Sequence, residues 1–465
     1  MATTKKTAAP KKKAAAPKKK AAAPKKKAAA VKRSASARPS RRAVVVAGSR
    51  TPFVKAFKEF MRMDTIALGV SAVGGLLERT QIPHAELDAI VWGGVILPAM
   101  APNVAREIAL DLRLPHSVEG MTVTRACASG LQAVTLAAAA IERGDADVVI
   151  AGGSDSTSNG EVKLPQKWIH TLAPYAFGKP FKPQDVMSVL AQLMPLSELL
   201  PRRPEIAERS TGQVMGEAAE EMAGRNGVSR AEQDAFAASS HHRAATAIAS
   251  GRFDDEVVPV TTRGGGIVTA DTLVRASTSV DKLAKLRPVF AKDGTLTAGN
   301  SSPLTDGGAA VLLMSEEKAR ALGYTPLAAF RSWAYSGVDP ADQLLMGPAL
   351  AMPKALDRAG MALDDVDVID MHEAFAAQVL SVLRMLGSKA FAAERLGRST
   401  AVGEVDLDLL NVHGGSVALG HPFAATGARM VTTMANELHS TGRETALLGI
   451  CAAGGLGAAA VMEAL

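Results

Sequence analysis

The two cysteines of the 465-residue chain are the side chains best suited to covalent chemistry. Cys127 stands where a turn passes into an apolar segment of helical length, and the small residues 128–130 would let a bulky substrate approach its sulfur. Because a helix N-terminus carries partial positive charge, this position predicts a lowered thiol pKa and a nucleophilic role. Free cysteines are more often inert core residues, so Cys127 alone leaves both interpretations open.

A second thiol and a histidine lie at glycine-containing turns farther along the chain. Cys451 follows a predicted strand at residues 446–450, and His421 is held between Gly420 and Pro422. This set permits a mechanism in which one thiolate attacks a carbonyl, the histidine takes the thiol proton and the other thiol acts as acid and base. Backbone N–H groups of the glycine turns would stabilise the oxyanion.

Metal binding is the rival use of cysteine and histidine side chains. The sequence has no Cys-x-x-Cys and no His-x-x-x-His spacing, which argues against a metal site. It also lacks a convincing Gly-x-Gly-x-x-Gly motif after a strand and has no phosphate-binding P-loop. We therefore expect neither a metal ion nor a bound cofactor.

Predicted strands and helices alternate in two stretches of the chain. Strands at residues 43–47 and 89–95 flank a helical pattern at residues 65–79, and the alternation starts again at residue 328. In the second stretch, residues 371–375 are predicted to begin a helix. This pattern indicates an α/β fold whose parallel or mixed sheet is covered on both faces, and the similarity of the two stretches suggests an internal duplication.

Residues 1–42 differ from the rest of the chain in composition. They hold 12 Lys and 4 Arg without an acidic side chain, whereas the remainder carries 37 basic and 46 acidic side chains, a net charge of −9. The unit PKKKAAA recurs at Pro10, Pro17 and Pro24. Because proline interrupts helices and like charges repel, we predict a disordered cationic arm. It would bind a polyanion or an anionic membrane surface, or serve only solubility.

Residues 161–209 interrupt the strand and helix alternation. Seven prolines and four aromatic residues crowd here, and an apolar segment at residues 186–200 is flanked by basic side chains. One interpretation is an interfacial anchor or a docking surface for a partner. The other is a lid packed over the protein's own substrate tunnel.

Four blocks of the sequence resemble the signature motifs of the thiolase family and occur in that family's order. The blocks are TRACASG at residues 124–130, HEAF at 372–375, NVHGGSVALGHPFAATG at 411–427 and CAAGGLG at 451–457. The similarity runs from about residue 43 to residue 465. Together the blocks are highly specific, although any one of them alone would not be.

The resemblance implies a five-layer α/β/α/β/α fold made of two duplicated halves. The N-terminal half would comprise residues 43–158 plus 290–315, the inserted loop domain residues 159–289 and the C-terminal half residues 316–465. Residues 1–42, the disordered basic tail, belong to no thiolase pattern.

The resemblance also implies acyl transfer between coenzyme A thioesters. Cys127 would carry the acyl group as a thioester, His421 would be the base that activates it, and Cys451 would move the proton at the acetyl carbon. Splitting the carbon–carbon cleavage into two steps through a thioester suits these residue types.

Further site residues follow from the resemblance. His372 stands where many members have Asn, at a position that helps to build an oxyanion hole, and Arg275 and Ser302 match positions that contact coenzyme A. Thr124 replaces the usual Asn, and Ala453 stands where Gly is common, so one oxyanion turn is expected to differ in shape.

The implied function is that of an acetyl-CoA C-acyltransferase in fatty-acid β-oxidation, most similar to the thiolase subunit of β-oxidation complexes. It would cleave 3-oxoacyl-CoA with CoA to acetyl-CoA and a shortened acyl-CoA. Short-chain acetoacetyl-CoA synthesis and a thiolase-fold lipid carrier or scaffold are the alternatives. The expected partners are acyl-CoA, CoA, a second copy in a homodimer or higher oligomer, and an α-type multifunctional subunit. Two cysteines, no secretory signal and no apolar run of transmembrane length favour a cytoplasmic, at most membrane-peripheral, protein.

Overall fold

The computed structural model describes residue 1 and residues 41–162, 164–200 and 207–465. The predicted disordered arm at residues 1–42 therefore lies outside the described residues, except for its two ends. At the inner end, Arg42 donates to the carboxylate of Glu463 at 2.5 Å. The contact ties the beginning of this described segment to the last strand.

Among the described residues, twelve strands alternate with helices: six lie in the predicted N-terminal half, two in the predicted loop domain and four in the predicted C-terminal half. The strands are β1 (Ala43–Arg50), β2 (Val54–Lys55), β3 (Ala89–Gly93), β4 (Glu119–Val123), β5 (Val148–Ser156), β6 (Val260–Thr261), β7 (Ile267–Val268), β8 (Thr305–Ser315), β9 (Ala328–Gly337), β10 (Val368–Met371), β11 (Thr445–Ala452) and β12 (Leu456–Ala464). The α-helices are α1 (Thr65–Thr80), α2 (Val104–Asp111), α3 (Ser129–Arg143), α4 (Gln166–Ala176), α5 (Asp185–Leu193), α6 (Met215–Arg225), α7 (Arg230–Ala249), α8 (Val280–Leu283), α9 (Glu316–Ala321), α10 (Pro348–Ala359), α11 (Ala376–Gly387), α12 (Lys389–Arg395), α13 (Ser416–Leu419) and α14 (Ala425–Thr441).

The main sheet contains the same four-strand arrangement twice, with β4 as an additional edge strand in the first half. The first half has the order β4-β3-β5-β8-β1 and the second the order β10-β11-β12-β9. In both halves the two helix-connected strands, β3 with β5 and β10 with β11, run parallel, and the later strands pair antiparallel. The halves meet where β1 pairs with β9. This repetition agrees with the duplication that the sequence suggested.

Alternating side chains of the strands pack into different layers. In β1, Val45 joins the central core with α3 and α14, whereas Val44 joins the outer core with α1 and α2. In β12, Ala460 faces the central core and Val461 the opposite outer core with α10 and α11. Because side chains alternate across a strand, both faces of each half-sheet are covered. The result is the predicted five-layer order of helix, sheet, helix, sheet, helix.

Two glycines let the central helices α3 and α14 approach closely. A Cβ atom at Gly427 would lie 2.3 Å from the backbone N of Leu131, and one at Gly130 would lie 2.1 Å from the carbonyl O of Ala424. Only glycine fits such distances. The close approach places the N-termini of both helices, and the turns that precede them, side by side.

The prediction that residues 371–375 begin a helix is wrong by several residues. Helix α11 begins at Ala376. The preceding backbone is held in an extended path because the carbonyl of Ala374 accepts from the N–H of Ser302 at 3.0 Å, and the N–H of His372 donates to Gly449 at 2.8 Å. These long-range bonds override the local helical pattern.

Helices α4 and α5, within residues 161–200, pack mainly against each other. Their common core is small, consisting of Val189, Leu193 and Leu199 with Trp168 and Tyr175 beside them. Large apolar side chains remain exposed around it, namely Val162, Leu164, Ile169, Leu172, Phe177, Phe181, Val186, Met187, Leu190, Met194 and Leu200. In the part of the chain that the structure describes, no helix has the length and apolar character needed to cross a membrane.

Candidate active site

Three predicted site residues from distant parts of the chain converge on one point. The metal-ligating or reactive atoms of Cys127, His372 and His421 all lie within 4.8 Å of one another. The two imidazole rings have centroids 4.0 Å apart and planes inclined by 43°. A thiol and two imidazoles can thus act on the same substrate atom.

The turn before α3 presents Cys127 in a strained backbone. Ala126 has a φ of 45°, a conformation that residues with a Cβ atom rarely adopt. The hydroxyl of Ser129 stabilises the turn, since it accepts from the N–H of Arg125 at 2.7 Å and donates to the carbonyl of Ala126 at 2.6 Å. Such strain is typical of functional turns that the surrounding structure holds in place.

The prediction that the helix N-terminus lowers the thiol pKa of Cys127 is wrong. Burial raises this pKa to about 12, although the backbone N–H of Ala453 opposes the rise; the carboxylate of Asp155 adds to it. Removing water from a thiolate outweighs the partial charge of the α3 terminus. Cys127 is therefore a protonated thiol at neutral pH, and its attack on a carbonyl requires a base.

His421 has the geometry of that base. Its Nδ1 lies 2.7 Å from the Oγ1 of Thr426, and its backbone N–H donates to the Oγ1 of Thr305 at 3.0 Å. Its Nε2 is buried without a hydrogen-bond partner. Burial, with help from the cation of Arg429, lowers the pKa of His421 to about 3, so the ring is neutral. With Nδ1–H donating to Thr426, the Nε2 lone pair is free to take a proton.

His372 has a similar environment with a different hydroxyl. Its Nδ1 lies 2.9 Å from the Oγ of Ser416, and its Nε2 is buried without a partner. Burial lowers the pKa of His372 well below its ordinary value, and the neighbouring His421 and Arg429 lower it further. If the hydroxyl of Ser416 donates to Nδ1, the neutral ring carries its proton on Nε2 and can donate to an oxyanion.

Cys451 lies at the end of β11 and is 1% exposed. Burial raises the pKa of its thiol well above the ordinary value, and a thiolate on Cys127 would raise it further because the two sulfurs are neighbours. The positive φ angles of the following turn fall on Gly454 and Gly455. Ala453, which replaces the common Gly, therefore meets no backbone strain.

The two predicted coenzyme A contacts lie outside the Cys127 cluster. Ser302 is half-buried. The hydrogen bond from its backbone N–H to the carbonyl of Ala374 places it beside the segment that carries His372. Arg275 is exposed, and its backbone N–H donates to the Nδ1 of His241 at 3.2 Å. The structure thus brings together four of the six predicted residues, with Ser302 adjacent to them.

Sequence reasoning missed the buried acids that support the site. Asp155 accepts the N–H groups of Val95, Ile96 and Ala424 at 2.6 to 2.9 Å, and burial raises its pKa to about 7. Its carboxylate thereby joins the loop after β3 to the turn that follows His421. An acid placed inside an otherwise apolar strand pattern was the available signal.

A second buried acid lies next to His372. Glu373 is fully buried and accepts from the amide of Asn411 at 2.7 Å, the hydroxyl of Ser240 at 2.7 Å and the N–H of Val417 at 3.0 Å. It fixes the loop that carries Ser416, the hydroxyl partner of His372. Its position inside the HEAF block could have identified it.

Family models match most of the chain. The model of the thiolase N-terminal domain matches residues 43–317, and that of the thiolase C-terminal domain matches residues 324–464. The chain belongs to the thiolase family. The sequence resemblance and the five-layer fold are thereby confirmed.

Individual thiolases are similar over nearly their whole length. A 3-ketoacyl-CoA thiolase of Shewanella sediminis is 43% identical over 424 residues, which cover 91% of this chain and 97% of the relative. One of Shewanella woodyi is 44% identical with the same coverage.

Solved thiolase structures share the fold. An acetyl-CoA acetyltransferase of Bacillus anthracis has a TM-score of 0.77 at 33% identity and covers 91% of this chain and 99% of its own. Human mitochondrial 3-ketoacyl-CoA thiolase has a TM-score of 0.76 at 29% identity, with the same coverage of both chains.

Proposed function

We propose that this thiolase is a 3-ketoacyl-CoA thiolase that cleaves 3-oxoacyl-CoA with CoA, yielding acetyl-CoA and an acyl-CoA shortened by two carbons. The observation that carries the proposal is the convergence of Cys127, His372 and His421 within 4.8 Å, next to the second thiol of Cys451. Relatives with 43% and 44% identity that are named 3-ketoacyl-CoA thiolase support the choice of substrate.

The first half-reaction forms a thioester on Cys127. His421 Nε2 takes the thiol proton, and the sulfur attacks the 3-keto carbon of the substrate. The Nε2–H of His372 donates to the resulting oxyanion. The bond between C2 and C3 then breaks, the acyl group stays on Cys127, and the thiol of Cys451 donates a proton to the carbanion to release acetyl-CoA.

The second half-reaction returns the enzyme to its starting state. The thiol of CoA gives up its proton to the thiolate left on Cys451, and its sulfur attacks the thioester carbonyl. The carbon–sulfur bond to Cys127 breaks, acyl-CoA leaves, and Cys127 regains its proton from His421. The exposed Arg275 and half-buried Ser302 would contact coenzyme A outside the cluster.

A thiolysis assay with purified protein tests the proposal. It would use 3-oxoacyl-CoA substrates of graded chain length and follow acetyl-CoA release. Efficient cleavage of medium or long chains is expected. A strict preference for the four-carbon substrate would instead support acetoacetyl-CoA synthesis, which the similarity to the Bacillus anthracis acetyltransferase keeps as the second candidate. No turnover of any substrate would leave the carrier or scaffold alternative.

We further propose that residues 161–200 contact a membrane surface. The exposed apolar side chains of α4 and α5 include Phe177 at 90% and Met187 at 74% exposure, which favours an external docking surface over a lid closed on the protein itself. Flotation of the protein with anionic vesicles tests this proposal. The double variant Phe177→Ser, Met187→Ser should bind the vesicles less than the wild type does, while its turnover of substrate is preserved. Binding of the same surface to an α-type subunit would be the alternative outcome.

A second copy of the chain is a further expected partner. Strand β4 is an edge of the main sheet, and Met121 on it is 47% exposed. Edge strands with apolar side chains are suited to pairing with another chain. Light scattering should show a dimer or higher oligomer.

The arm at residues 1–42 would add a salt-dependent contact with polyanions, and its deletion should leave kcat unchanged.

A further inference from the structure

The geometry points to a metal site that the motif spacing of the sequence does not reveal. We propose that Cys127, His372 and His421 bind one zinc ion, and that this ion reversibly inhibits the enzyme by occupying the sulfur of Cys127. The metal site does not depend on the proposed reaction, but the inhibition does.

The ligand types and their separation suit zinc. Among the described residues, this is the place where three side chains of ligating type have donor atoms within 4.8 Å of one another. A tetrahedral zinc ion with bonds of about 2.0 to 2.3 Å needs ligand atoms about 3.3 to 3.6 Å apart. Closing this difference requires a displacement of about 1 Å, which side-chain rotation can supply. Three protein ligands leave the fourth position to water.

The two histidines present unused ligand atoms. His372 is 0% and His421 6% exposed, and the Nε2 atoms of both are buried without a hydrogen-bond partner. Their Nδ1 atoms are fixed by the hydroxyls of Ser416 and Thr426. Because a hydroxyl can either donate or accept, both rings can carry the proton on Nδ1 and leave the Nε2 lone pair for a metal. Hydrogen bonds of this kind orient histidine ligands in metal sites.

The thiol of Cys127 offers the third ligand. Cys127 is half-buried, whereas Cys451 is buried, so Cys127 is the more accessible of the two cysteines. Zinc displaces the thiol proton, which passes to solvent, and a Zn–S bond replaces the S–H bond. The sulfur is then unable to attack a carbonyl until the metal is removed.

The imidazole of His372 is essential to the proposed site, because an amide such as that of Asn is a poor zinc ligand compared with imidazole. His372→Asn therefore removes one ligand while it keeps a polar side chain at this position.

Zinc titration of the purified enzyme without a polyhistidine tag tests the proposal. We expect one ion per chain with micromolar or tighter affinity. Cobalt(II) in place of zinc should give a thiolate-to-cobalt absorption band. Cys127→Ser should abolish that band, and His372→Asn should weaken zinc binding about tenfold or more. Cys451→Ser and His439→Gln, the latter an exposed histidine, are matched controls whose zinc affinity should stay within about twofold of wild type.

The outcomes separate the site from its effect. Absence of binding by the wild type, or unchanged affinity in both Cys127→Ser and His372→Asn, would overturn the site. Circular dichroism of each variant verifies that it is folded. If zinc binds at this site but leaves thiolysis unaffected, the proposed inhibition is wrong. If the chain has no thiolase activity at all, the titration still decides whether the site exists.

Discussion

His372 and His421 face each other with ring centroids 4.0 Å apart, yet each ring is held by a different hydroxyl. Ser416 binds the Nδ1 of His372, and Thr426 binds the Nδ1 of His421. Whether the Nε2 of each ring donates or accepts a proton therefore depends on whether the hydroxyl of Ser416 or Thr426 donates to Nδ1 or accepts from it. Two identical side chains can thereby hold two different roles in one cavity.

Loss of the Thr426 hydroxyl should impair His421 as a base. In Thr426→Val, the Nδ1–H of His421 loses its acceptor, and we expect kcat/KM to fall about 10- to 100-fold with little change in thermal stability. The matched control is Thr432→Val on the same helix, because the buried Oγ1 of Thr432 has no hydrogen-bond partner. Steady-state thiolysis kinetics of both variants check this. Equal losses in both would show that the effect is only structural.

The pKa of Cys127 predicts how its reactivity depends on pH. Burial raises this pKa to about 12, so the thiol is protonated throughout the neutral range. The thiolate fraction of a group below its pKa rises about tenfold per pH unit. Alkylation of Cys127 by iodoacetamide in the free enzyme, followed by peptide mass spectrometry from neutral to alkaline pH, should rise continuously. A plateau near neutral pH would mean that a thiolate is already stabilised in the free enzyme.

The approach of α3 to α14 should make Gly427 indispensable. Gly427→Ala places a methyl group 2.3 Å from the backbone N of Leu131, and backbone cannot move aside as a side chain can. We expect a destabilisation of about 1 to 3 kcal/mol or more, seen as a lower melting temperature. Gly224→Ala in α6 is the control, because a Cβ there meets no atom within 4 Å. Its melting temperature should stay the same or rise slightly. A similar loss in both variants would contradict this account of the helix packing.

The duplicated fold could be predicted from the sequence because burial can be inferred from nearby residues. The alternation of apolar and polar residues and the positions of glycines indicate which segments are buried. Strand β1 and helix α1 appear close to their predicted places. The start of α11 was misplaced because its delay depends on hydrogen bonds to Ser302 and Gly449, which are distant in sequence.

In the site, too, properties that depend on a single residue were predictable and properties that depend on distant contacts were not. The residue types of Cys127, His421 and Cys451 predicted thiol and imidazole chemistry, and the resemblance to thiolases added His372. The pKa of Cys127 was mispredicted because a helix terminus can be read from sequence whereas desolvation depends on the whole fold. The role of Asp155 was missed for a related reason, since its three backbone donors come from two distant turns.

The identity of the acylated residue tests the central claim most directly. Wild-type enzyme and Cys127→Ser would each be incubated with a 3-oxoacyl-CoA in the absence of free CoA, digested and examined by mass spectrometry. We predict that the wild type carries the shortened acyl group as a thioester on Cys127, released by added CoA, and that Cys127→Ser carries none and loses at least about 1000-fold in kcat/KM. Acylation of another residue, or undiminished turnover by Cys127→Ser, would contradict the account.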